Sequence, residues 1–209
     1  TEAYLKVGGK TVNTRFTDSA GKNRTVRYRV PNKNQCKECH ASGDGIVPIG
    51  PKPRNLDKDF DYPDQRMNQL VKWSQMNIID DYPQNVQPVA DFTDPSKDIE
   101  ARARAYLAIN CGHCHSPKGS ASSTGLYLNY GEKRPKQLGI LKPPVAAGRG
   151  SGGLKYSVVP GDPDASILLF RMISDDPAIM MPESGRSIIH QEAVSLIYDW
   201  IERMEGEAR

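Results

Sequence analysis

The chain opens on strict alternation. Val12, Thr14 and Phe16 face one way with polar residues between them, and Val26, Tyr28 and Val30 repeat the pattern. Asp18-Ser19-Ala20-Gly21-Lys22 separates the two runs as a turn cluster, and Gly8-Gly9 turns the chain after Leu5 and Val7. Residues 1–30 therefore predict a small antiparallel β meander, too thin to stand alone. The period then changes. Met67, Leu70, Val71, Ser74 and Ile78 recur at helical spacing, with Trp73 and Met76 on a neighbouring face, which predicts a helix over 65–79 capped by Asp64. Asp94-Pro95 predicts the start of a second helix, over 96–110, with Ile99, Ala103, Tyr106 and Leu107 inward. Gly161-Asp162-Pro163-Asp164 starts a third, apolar on one side from Ala165 to Met172. A last helix, over 189–204, carries Ala193, Val194, Leu196, Ile197, Trp200, Ile201 and Met204, a face broad enough for two partners.

Between these elements the chain is rich in glycine and proline. Ile46 to Pro53 reads as stiff and extended, Pro83 to Pro95 as a linker, 116–160 as irregular, and Pro177 to Pro182 as a loop. The tract Gly148-Arg149-Gly150-Ser151-Gly152-Gly153 lacks the G-K-[ST] ending that grips phosphate, so a long wrapping loop is the better reading. An apolar share of 37% suits a loop-rich globular protein, and 209 residues allow one or two domains. The formal charge is +3 with no basic stripe, which argues against nucleic acid. No apolar run approaches the ~20 residues of a membrane span, so no span is expected in this chain.

The cysteines change the picture. All four lie in two copies of one pattern, Cys36-Lys37-Glu38-Cys39-His40 and Cys111-Gly112-His113-Cys114-His115. C-x-x-C-H is the attachment pattern of a c-type haem. Residues i and i+3 share a helix face, so both sulfurs can reach the vinyl groups on one haem edge, and the next residue turns its imidazole beneath the iron. Structural zinc is the main rival, yet the pairs stand roughly seventy residues apart, well beyond the usual fifteen to twenty, and zinc does not call for a histidine after each pair. A disulfide or redox dithiol needs neither the second copy nor the histidine. The expected cofactors are therefore two covalently bound haem c. A short helix should carry Cys36 to His40 and stop near Gly43-Asp44-Gly45. Two planar apolar cofactors would supply core to a chain with only 7% aromatic residues, and their propionates would bring the net charge close to neutral. Arg149, Lys155 and Tyr156 are candidate propionate partners. Covalent haem attachment in bacteria takes place outside the cytoplasm, so the expected location is periplasmic or otherwise exported. Thr1 shows no charged and apolar leader, which fits a leader already removed or a fragment.

The second half resembles a class I c-type cytochrome. It has a helix with Tyr106, then the C-x-x-C-H, a long loop, Met181-Pro182, and a terminal helix ending in Trp200-Ile201. The resemblance implies that the two terminal helices cross, that His115 is the proximal ligand, and that Met181 binds the iron opposite it, with Met180 the neighbour if the register shifts. In c-type cytochromes a loop carbonyl often accepts the proximal histidine Nδ–H, and residues 46–53 could supply one to His40. The first motif has no comparable Met-Pro pair. Its distal ligand stays open among Met67, Met76, Met172, another side chain or none. The whole chain is also similar to a family of proteobacterial di-haem c-type cytochromes, through Val30-Pro31-Asn32-Lys33-Asn34-Gln35-Cys36, Asn68-Gln69-Leu70 and Pro143 to Gly150. The implied architecture is mainly α. The β meander of 1–30 precedes a first haem lobe over 31–93 and a second, class I cytochrome c-like lobe over 94–209, both helical with long loops. His113 is expected to be an exposed spacer, and His190 a substitute cap on the last helix.

The resemblance implies electron transfer to and from a redox protein partner. The competing expectation is a di-haem peroxidase-like enzyme, in which the distal face of the first haem opens to peroxide. A haem-bearing sensor or docking module is a third. Chain length, and the lack of a recognisable acid–base pair for O–O cleavage, count against the enzyme.

Overall fold

The computed structural model describes residues 2–18 and 21–205, so Thr1 and the Ser19-Ala20 tip of the expected turn lie outside the described residues. Strands β1 (Lys10–Thr17) and β2 (Asn23–Val30) occupy the two alternating runs. They pair antiparallel from Lys10 opposite Val30 to Thr17 opposite Asn23. The residues from Leu5 to Gly8 form no strand, and only Val26 of the hairpin is buried. Gly9, at φ +70°, makes the turn into β1; a side chain there would meet the Val30 carbonyl at 2.7 Å. Just beyond β2, α1 (Lys33–His40) begins at Asn32 with a reciprocal capping box. Asn32 Oδ1 accepts from the Gln35 amide at 2.9 Å and Gln35 Oε1 accepts from the Asn32 amide at 3.1 Å.

The expectation of a mainly α chain with two helical lobes does not hold. Helix of all kinds makes up 28% and strand 15%, and the described residues hold six α-helices and three two-stranded sheets. The departure is concentrated before residue 98. After α1 come the two-residue strands β3 (Ala41–Ser42) and β4 (Gly45–Ile46), then α2 (Pro53–Leu56), a single turn. Strands β5 (Asp59–Asp61) and β6 (Arg66–Asn68) pair next, and α3 (Gln69–Gln75) follows. The helix expected over 65–79 is thus cut to seven residues. Asn68 caps it, its Oδ1 accepting from Leu70 N at 2.9 Å, while Asp64 instead pairs with Lys72 at 2.7 Å. Met67 lies opposite Phe60 across the β5–β6 ladder rather than on a helix face. The physical reason is burial. Ahead of residue 98 the only buried described residues are Val26 and Leu70, too little apolar area to hold a helical lobe by protein contacts alone.

Beyond residue 98 the core is continuous. α4 (Ile99–Asn110) starts at Asp98, whose Oδ1 accepts from Ala101 N at 2.9 Å. The start lies later than Asp94-Pro95 suggests because Asp94 turns its carboxylate to Ser96 N and Oγ, at 2.9 and 2.7 Å. α5 (Ile167–Ile173) and α4 share a core with α6 (Gln191–Glu202), and each packs against α6. Ala103, Leu107, Leu128, Val158, Ile197 and Ile201 sit at its centre, all at 2% exposure or less. Each large aliphatic side chain fully removed from water contributes about 1.5–3 kcal/mol. Arg104 is buried with them. Its Nη2 donates to the carbonyls of Asn129, Tyr130 and Glu132 at 3.2, 3.3 and 2.8 Å, fixing the loop that passes behind the second motif.

Candidate functional site

The first motif rides on α1, with Cys36, Cys39 and His40 at i, i+3 and i+4 of one short helix. The β3–β4 hairpin reverses the chain at once, so that Val47 returns to His40. The Val47 amide donates to the His40 carbonyl at 2.8 Å, and the Val47 carbonyl lies 2.9 Å from His40 Nδ1. With Nδ1–H donated, Nε2 is left as the ligand atom, the arrangement that orients metal-binding histidines. The expectation that residues 46–53 supply this carbonyl is met by Val47.

The second motif begins where α4 ends. Cys111 is the C-cap, and the chain winds on through Cys114 N to Cys111 O at 3.2 Å and His115 N to Cys111 O at 2.9 Å. Two glycines permit this winding. A side chain at Gly112 would meet Ala108 O at 2.8 Å and Leu128 O at 3.1 Å; one at Gly119 would strike the Cys114 carbonyl. Burial lowers the pKa of the His115 imidazole, and the nearby Arg171 guanidinium acts in the same direction. The Leu126 carbonyl beside the ring opposes this, yet buried Nδ1 makes no hydrogen bond of good geometry. Cys111 retains some accessible surface but its thiol is densely surrounded, and burial pushes it up to about 12.

The Met181 loop reaches the second motif through Arg171. The Arg171 carbonyl accepts from Met181 N at 3.0 Å, and its guanidinium donates to Ile179 O at 2.7 Å and pairs with Glu183 at 3.5 Å. The residue that holds the loop is therefore also the one whose charge His115 feels. Met180 donates its amide to Asp176 O at 2.8 Å within the same loop. Of the distal candidates for His40, Met172 is buried in the α4–α6 core, Met76 is 56% exposed at the end of α3, and Met67 is half-buried in β6.

The two motifs are not separate. Cys39, His113 and Cys114 bring one ligand atom each within 4.8 Å of one another. All four cysteines are free thiols. A hydrogen bond from Cys39, then others from His113 and Ser120, favours the Cys114 thiolate, while Cys39 holds its proton. The Glu38 carbonyl, 2.9 Å from Cys114 Sγ, accepts when Cys114 is a thiol and so opposes that fall. His113 is accordingly not an exposed spacer. It is half-buried, with an unpartnered buried Nδ1. Nor does the His190 side chain cap α6; its Nδ1 meets the Tyr106 hydroxyl at 3.2 Å, beside Phe92. Sequence reasoning also missed Glu38 and Arg171. Neither stands out by spacing, since one is an ordinary x of C-x-x-C and the other a lone cation on an apolar helix.

Arg149, expected near a propionate, pairs with Asp176 at 3.0 Å. The glycine tract around it packs on α5, where a side chain at Gly152 would strike Phe170 at 2.6 Å and one at Gly150 would crowd Arg171 at 3.1 Å. Lys155 is exposed, and the Tyr156 carbonyl accepts from Ile167 N at 3.1 Å. A groove of about 530 Å³ between the start of α4 and α6 contains no motif residue.

The donor set of each motif suits a covalent haem, and at the first motif the surroundings suit it as well. Each pair of free thiols is followed by an imidazole, and at the first motif an oriented one. Directly after that motif Ile46, Val47 and Ile49 expose between 41% and 61% of their surface. An apolar planar group seated on His40 would cover such a surface. No protein-family model, no curated protein and no solved structure matches the chain.

Proposed function

We propose that this chain is an exported di-haem c-type cytochrome that passes single electrons between redox proteins. Cys36, Cys39 and His40 hold one haem; Cys111, Cys114 and His115 hold the other, with Met181 as its distal ligand. The observation that carries this reading is the hydrogen bond from His40 Nδ1 to the Val47 carbonyl, which leaves Nε2 as an oriented ligand atom directly after two free thiols. Bound haem supplies a one-electron Fe(III)/Fe(II) carrier whose potential follows its axial ligands. The chain's own part is to present the four thiols for thioether formation, to aim the His40 imidazole, and to exclude water behind the second site through Leu107 and Leu128. Arg171 holds the Met181 loop, and its charge is felt at His115.

A pyridine haemochrome assay should give two haems per chain. Replacing Met181 by Ala should abolish the weak Met–iron absorption at the red edge of the ferric spectrum. A band that survives moves the distal ligand elsewhere, Met180 first. Two six-coordinate low-spin centres are expected, whereas a high-spin ferric centre with peroxide turnover would favour the peroxidase-like alternative.

One observation favours a second reading. The Cys39–His113–Cys114 cluster has the donor atoms of a three-ligand site for zinc or another borderline cation. The two readings exclude each other, because a thioether sulfur is no longer a thiolate. Iron-free protein containing stoichiometric zinc would overturn the haem reading.

A further inference from the structure

α1 is docked on the second motif from two sides, and the contacts converge on Glu38. Its carbonyl accepts from the Ser120 hydroxyl and lies 2.9 Å from Cys114 Sγ, while its carboxylate accepts from the Ser184 hydroxyl in the loop that carries Met181. One turn further on, Gly43 N donates to Lys118 O at 3.0 Å. Ser120 and Lys118 flank the second motif on its C-terminal side, and Ser184 follows Met181 by three residues. Glu38 directly precedes Cys39, so docking this residue places the Cys39 sulfur. The outcome is selective, since the close cluster contains the second cysteine of each motif and neither Cys36 nor Cys111.

Resting on the di-haem reading above, we propose that Glu38 is a positioning residue that interlocks the two motifs. It sets the Cys39 and Cys114 thioethers side by side and makes the two haems an electronically coupled pair. Each thioether sulfur is joined to its porphyrin edge through one carbon, so sulfurs within 4.8 Å of each other bring those edges together. One-electron exchange between the sites is then internal to the chain. The site that gives up an electron is oxidised, its neighbour is reduced by the same electron, and no bond or proton need move. An external redox protein need address only one of the two. Glu38, Ser120 and Ser184 gain a role that no attachment motif assigns to them.

The test is Soret circular dichroism of the holoprotein, with haem content measured alongside. Coupled haems should give a bisignate band that differs from the sum of two single-haem variants, Cys36→Ser/Cys39→Ser and Cys111→Ser/Cys114→Ser. In the double variant Glu38→Ala/Ser120→Ala, which keeps both attachment motifs, the band should fall toward that sum while the haem count stays at two. Two haems with an additive spectrum would overturn the interlock and leave the di-haem reading standing. A band unchanged by the double variant would remove Glu38 from the role. A haem count other than two in the unaltered chain would remove the di-haem reading itself, and the interlock with it. If a single-haem variant does not fold, half-reduction of the unaltered chain decides the matter by electron paramagnetic resonance. The signal of the remaining ferric site changes on reduction of a close neighbour and is unaltered in an isolated pair.

Discussion

Glu132 accepts four hydrogen bonds in one short turn. Arg134 donates through Nε at 2.8 Å, Nη2 at 2.7 Å and its amide at 3.0 Å, and Lys133 donates its amide at 3.1 Å. The residue is buried, but few groups crowd the carboxylate itself, so hydrogen bonding and not desolvation governs its charge. The Arg134 guanidinium, first among these donors, holds its pKa at about 2 against an ordinary 4.5. The sign follows from proton binding. Between those values the unfolded chain takes up a proton that the folded chain refuses, so the stabilisation present above 4.5 is lost as the pH falls toward 2. The Glu132 carbonyl also receives Arg104, which ties the loss to the loop behind the second motif. Glu132→Gln is expected to lower stability at neutral pH and to flatten this acid limb, read as denaturant midpoints across the interval. An acid limb of unchanged depth would place its source in another carboxylate. Neither Glu132 nor Arg104 announces itself in the sequence, because periodicity rewards apolar positions and is silent on a buried cation whose partners are backbone carbonyls.

α1 is the element on which the first site depends, and it is only eight residues long with none of them buried. Helices this short are marginal in water, so its caps and its docking must hold it. Replacing Asn32 by Ala should cost about 1 kcal/mol through loss of the capping box. The expected result is a lower urea midpoint together with weaker retention of the haem at Cys36 and Cys39. A full haem complement at an unchanged midpoint would show that docking through Glu38 suffices. The elements differ in how much the sequence reveals of them. α6 was legible because six of its seven expected apolar positions fall within it and keep one period over a length where nothing competes, and the β1–β2 hairpin because two alternating runs flank a turn. The helix expected over 65–79 was not. Asn68 bonds the amides of Leu70 and Val71 and so begins the helix there, while Arg66 to Asn68 find a ladder partner in Asp59 to Asp61, a pairing no local pattern encodes. At the candidate site, the two C-x-x-C-H motifs stand out because their spacing is itself chemistry. The approach of Cys39 to Cys114 does not, since it depends on tertiary contacts of Ser120 and Ser184.

Burial is divided unevenly along the molecule. From Ala103 to Ile201 a continuous apolar core joins α4, α5 and α6, whereas residues 31–93 bury only Leu70 and leave a run of large apolar side chains near His40 open to water. A stretch so thinly buried cannot offset the backbone entropy of its order, roughly 1–2 kcal/mol per residue, from its own contacts. An apolar group bonded to Cys36 and Cys39 and seated on His40 would supply the missing contact area and constrain the unfolded chain as well. The stability of this half should then depend on its haem, while the α4–α6 core stands largely by itself. Hydrogen exchange separates the two cases. In Cys36→Ser/Cys39→Ser the amides of α1, α2 and α3 should lose protection, and those in the middle of α4 and α6 should keep most of theirs. Uniform loss across both halves would instead mean that the interlock through Glu38 couples them into one cooperative unit. Unchanged protection in α1 to α3 would mean that the exposed apolar surface around His40 is covered by something other than haem.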